Sequence, residues 1–67
     1  MNYGTAFNLA KGGAKIARNG WVDKYITFKD GSVQFNTKPQ LLLTEGNATR
    51  AWLAYPEDTE AQDWKVV

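Results

Sequence analysis

Apolar residues recur at Tyr3, Ala6, Phe7 and Ala10, the i, i+3, i+4, i+7 spacing of one helix face. Asn2 stands where it can cap the first turn, and Gly12-Gly13 after Lys11 supplies a left-handed terminator. The pattern predicts a helix of about nine residues. So short a helix is marginal alone, so its Tyr3/Phe7 stripe is expected to pack on a sheet or a second subunit. Ala14 to Arg18 then reads as a short strand, ended by the turn residues Asn19-Gly20 before Trp21.

Strict alternation follows in Tyr25-Ile26-Thr27-Phe28-Lys29 and again in Ser32-Val33-Gln34-Phe35-Asn36, with Asp30-Gly31 between them. Asp-Gly suits a two-residue type I′ turn, so a hairpin is expected that pairs Phe28 with Val33 and Ile26 with Phe35 on one face. The other face, with Tyr25, Thr27, Gln34 and Asn36, is half-polar and suits solvent or a wet interface. Pro39 ends this strand. Leu41-Leu42-Leu43 is apolar on consecutive residues, so a strand there would be covered on both faces, which a two-layer fold does not easily do without a partner. Glu45-Gly46-Asn47 turns the chain, and Thr49 to Leu53 reads as another strand. Pro56 fits the first position of a short helix with Glu57 and Asp58 at its positive end, and Trp64 to Val67 reads as a final strand. The expected fold is α+β and a single domain over residues 1–67: a short N-terminal helix on a small antiparallel sheet, with a short C-terminal helical turn and a last strand, assembled as a homo-oligomer.

Composition strengthens the expectation of assembly. The chain has 67 residues and no cysteine or histidine, so disulfides and the common zinc sites are excluded. A chain of this mass buries only about 60% of its unfolded surface, leaving a thin core. Association with copies of itself or a ligand is the remaining staple, and nine aromatic residues (three each of Trp, Tyr and Phe) supply the apolar area. A net charge of +1 with both signs interspersed gives no basic stripe for a nucleic-acid polymer. No secretory signal pattern is visible, and the longest apolar run falls far short of the roughly 20 residues that span a bilayer, so a cytosolic protein is expected.

Catalytic constellations are weak. Ser32 is the only serine and has no histidine to act as its base. Acid–base or Mg²⁺ chemistry at Glu57, Asp58, Glu60 and Asp63 competes with a simpler reading of these acids as a solvated face at a helix start. More informative are Arg18-Asn19-Gly20-Trp21 and Arg50-Ala51-Trp52, which place each of the two arginines near an indole. An indole stacks on a purine and a guanidinium clamps phosphate, so the pairing suits a nucleotide. From the spacing alone the favoured reading is the plainer one, in which Trp21, Trp52 and Trp64 are core or interface residues and the arginines are charges at the rim.

The stretch Ala6 to Trp21, with Arg18-Asn19-Gly20-Trp21, and the C-terminal Trp52-Leu53, Asp58, Ala61, Asp63 and Trp64 to Val67 resemble the phage Thoeris anti-defense type 2 family, earlier catalogued as a domain of unknown function. The two blocks cover about half of the chain. The resemblance implies a phage protein acting in the cytoplasm of the infected bacterial host. It implies a multimer, a homotetramer or homodimer, that binds and sequesters a cyclic ADP-ribose-type signal without cleaving it; some related sponges hold cyclic dinucleotides. Carried over, Trp21 would wall the adenine, Arg18 would lie near phosphate, and the segment with Asp58 and Asp63 would close or buttress the site. With Asn19, Phe7, Tyr3, Trp52 and Arg50 these make up the candidate ligand-binding set, with no catalytic residue, metal or cofactor. Where the family typically shows Pro-Ser, this chain has Ala54-Tyr55; Asp58 can still accept from the Tyr55 N–H, which suggests a structural role for it. A nucleotide pocket of about 300–1,000 Å³ does not fit inside so small a core, so it is expected between subunits of a symmetric assembly. The rival readings are a protein-binding inhibitor or accessory phage protein anchored by its tryptophans, and an enzyme that opens the cyclic signal with Asp58 or Asp63.

Overall fold

Asn2 caps the first helix, its Oδ1 accepting from the Thr5 N–H at 2.8 Å. In the computed structural model, which describes residues 1–31, 34 and 38–67, helix α1 spans Tyr3–Lys11. The residue that turns the chain out of it is Gly13, at φ +108°, a conformation that a side chain would oppose. Five strands follow: β1 (Ile16–Arg18), β2 (Lys24–Lys29), β3 (Gln40–Glu45), β4 (Ala48–Ala51) and, after the four-residue helix α2 (Pro56–Thr59), β5 (Trp64–Val66). They form one sheet in the order β4-β3-β2-β1-β5 with every pairing antiparallel. The α+β class, the nine-residue helix, the helical turn opened by Pro56 and the last strand agree with the sequence pattern, with strand ends shifted by one or two residues.

The expected hairpin does not hold. Ile26 lies between Ile16 of β1 and Leu43 of β3, so neither side of it is free for Phe35, and Phe28 faces Leu41. The segment Ser32 to Asn36 lies outside the described residues except for Gln34, which sits in a turn. A local Asp-Gly turn signal yields here to a six-residue register against the leucine run, which puts Leu41 and Leu43 onto the buried face.

Alternation sends Ile16, Ile26, Phe28, Leu41, Leu43 and Trp64 to the side beneath α1. There Ala6 and Ala10, small enough to let the helix approach, close a core with Ile16, Ile26, Leu43 and Trp64. The opposite face carries Ala17, Tyr25, Thr27, Leu42 and Thr44, and among the described residues no helix packs on it. Lys15 lies over the Tyr25 ring there, 4.9 Å from its centroid. Leu43 is therefore buried while Leu42 is only half-covered by its own chain. The accessible surface is 4743 Å², above the about 4,250 Å² expected of a compact monomer of this mass. Among the described residues no helix is long and apolar enough to cross a membrane.

Candidate functional site

Trp64 organises the candidate site. It enters β5 beneath the helix, 2% exposed, and is fixed on two sides. Its backbone N–H donates to the Met1 carbonyl at 3.1 Å, and its indole Nε1–H donates to the Asp58 carbonyl at 2.9 Å. Around it gather Tyr3 and Trp21, each 5.5 Å between ring centroids, and Trp52 at 6.1 Å. Trp21 and Trp52 meet at 6.4 Å, and all three indole pairs cross at 70–78°. Such edge-on crossings bring the positive rim of one ring to the negative face of another. Phe7 extends the cluster along α1, touching Tyr3 and Phe28 at 6.0 Å each. Trp64 is sealed in, whereas Trp21 and Trp52 stay half-exposed at the rim. Burial, with the nearby Asp58 charge, raises the Tyr3 pKa above its ordinary value.

Trp21 is held by the loop between β1 and β2. Its N–H donates to the Arg18 carbonyl at 3.1 Å across Gly20, which sits at φ +93°. Asp23 is left-handed at φ +57°, a conformation aspartate tolerates better than most residues, and its carbonyl accepts from the Gly46 N–H of the β3–β4 turn at 3.0 Å. This tie delivers Lys24 to the start of β2 with its ammonium 4.8 Å from the Trp21 ring centroid.

Arg18 is turned elsewhere. Its Nε donates to Asp63 Oδ1 at 2.9 Å and Nη1 to Asp58 Oδ1 at 3.3 Å. Asp58 is buried, and its Oδ2 accepts from the Tyr55 N–H at 3.2 Å, the structural role that the sequence suggested. The Asn19 N–H donates to the Asp63 carbonyl at 2.9 Å, while its side chain is exposed. Arg18, Asn19, Asp58 and Asp63 thus form a brace joining β1, α2 and the approach to β5. The hydrogen bond and charge of Arg18 hold the Asp63 carboxyl below its ordinary pKa of 3.8. A group with a depressed folded-state pKa adds stability that is complete above the unfolded value and is lost as pH falls through the folded one. The urea midpoint is therefore expected to drop as pH is lowered below about 4, and Asp63→Asn should flatten that drop; an unchanged acid profile would contradict the brace.

The sequence candidates separate into two groups. Tyr3, Phe7, Trp21 and Trp52 come together as one aromatic surface, and Arg18, Asn19, Asp58 and Asp63 as the brace. Trp64 joins the groups through its bond to Asp58. Arg50 is in neither: it pairs with Glu45 at 3.4 Å on the exposed edge, a contact worth little. Lys24, the cation over Trp21, was not among the candidates, because adjacency in sequence favoured Arg18. Among the described residues no three acidic groups converge as a metal site would require, and no pocket opens within one chain.

A helix on a five-stranded antiparallel sheet, with Trp21 and Trp52 half-buried at the rim of the core, leaves the chain one partly open aromatic surface. The chain belongs to the Tad2-like family, the Thoeris anti-defense 2-like domain, whose profile matches residues 1–67. A comparison with curated proteins gives no match.

Proposed function

We propose that this anti-defense domain acts in the cytoplasm of an infected bacterium by binding and sequestering a cyclic ADP-ribose isomer, or a related cyclic nucleotide, without cleaving it. The observation that carries the reading is the pair of half-exposed indoles, Trp21 and Trp52, packed on the core of a chain whose family is anti-defense. A purine has a π-face that such indoles can stack. A ligand of this size needs about 300–1,000 Å³ of enclosure. One chain's described residues form no pocket, which supports a site completed by a second copy. The half-covered Leu42, on a sheet face against which no helix packs among the described residues, supports such an assembly. Capture rather than cleavage is supported by the engagement of both candidate carboxylates, Asp58 and Asp63, with Arg18.

Isothermal calorimetry with cyclic ADP-ribose isomers and cyclic dinucleotides tests the reading, followed by heat denaturation and mass spectrometry of what is released. Binding at nanomolar strength, about −12 kcal/mol, with the ligand returned intact is expected. No binding to any of them removes the proposal, and an opened ligand converts it to an enzyme. Exposed Val22, Leu53 and Tyr55, beside the two rim indoles in sequence, favour a second reading, a protein-binding inhibitor. A stable host-protein partner, with no small molecule released on heating, would support that one.

A further inference from the structure

The brace changes which cation can serve a ligand. Arg18 is bonded to two carboxylates and Arg50 is paired with Glu45, whereas Lys24 forms no ion pair among the described residues. Lys24 is half-buried. It is placed by backbone rather than by a salt bridge: Asp23 ties the loop to Gly46, and the pairing of Lys24 with Glu45 starts the β2–β3 ladder. Its ammonium lies over the Trp21 ring, 4.8 Å from the centroid.

Resting on the capture reading above, we infer that Lys24 is the residue that meets the ligand's phosphate, and that in the free protein it covers the stacking surface of Trp21. Binding is then an exchange. The purine takes the place of the ammonium on the indole, and the ammonium moves on its four-carbon stem to a phosphate oxygen. The exchange runs forward because a partly exposed cation–π contact is weaker than a base stack together with a charge-assisted hydrogen bond. A covered indole is also shielded from unselective apolar contacts, so the surface opens best to a ligand that carries both a flat base and an anion.

The test is calorimetry of Lys24→Gln and Lys24→Arg with whichever cyclic ADP-ribose isomer the wild-type protein captures, beside their urea unfolding. Lys24→Gln is expected to lose roughly tenfold or more in affinity, as a charged hydrogen bond would. Lys24→Arg should retain affinity within about threefold, and both should unfold close to the wild-type midpoint, because Lys24 forms no ion pair among the described residues and a cation–π contact at the rim contributes little. Affinity of Lys24→Gln within about twofold of wild type, or equal losses in both variants, overturns the assignment while leaving capture intact. A wild-type protein that binds none of the isomers removes the capture reading and this inference together.

Discussion

Replacing Trp64 with alanine is expected to remove half or more of the chain's stability at room temperature. A domain of this length has about 3–10 kcal/mol of net stability to lose, and truncating a buried tryptophan to alanine costs about 3–5 kcal/mol where the surroundings collapse poorly. Collapse is poor here, because Tyr3, Trp21 and Trp52 all rest on the ring and among the described residues no second core lies behind it. The change also removes the indole N–H that donates to the Asp58 carbonyl, loosening α2. Trp64→Phe keeps most of the bulk and loses that bond, and should cost about 1–3 kcal/mol and remain folded. The urea midpoint and the dispersion of the amide proton spectrum read both outcomes. A Trp64→Ala protein with a folded spectrum and the wild-type urea midpoint would show that the ring is not what holds helix and sheet together.

The second large effect falls on binding. Trp21→Leu keeps apolar volume against Trp52 and Trp64 but removes the flat face, so affinity for the captured cyclic nucleotide should fall by roughly 5- to 150-fold, the range of one lost base stack. Sedimentation should leave the assembly as it is in the wild type, since Trp21 sits at the rim and the main chain of its loop is held by Arg18 and Gly46. Trp21→Ala should abolish capture outright with the same assembly. Undiminished affinity in either variant would move the ligand off this surface.

Helix α1, the Pro56 turn and the final strand were legible in the sequence because local chemistry decides them: a capping side chain, a glycine that accepts positive φ, and a proline whose missing N–H costs nothing at a first turn. Strand partners were not. Alternation in Tyr25–Lys29 says that a strand forms but not what lies beside it, and Ile26 lies between residues from two distant segments. The aromatic half of the site was visible as residue types. The surroundings of its cations were not, since only the fold reveals that Asp58 and Asp63 engage Arg18 while the left-handed Asp23 precedes a Lys24 whose ammonium lies over Trp21.

The crossing of three indoles within 6.4 Å has a practical consequence. Chromophores this close and at fixed angles couple optically, so the near-ultraviolet circular dichroism of the chain is a collective signal of the loop before β2, the end of β4 and the start of β5. Melting of any one of those segments extinguishes it, even where the far-ultraviolet spectrum persists. The protein thus carries a built-in gauge of its own tertiary order, readable without a label.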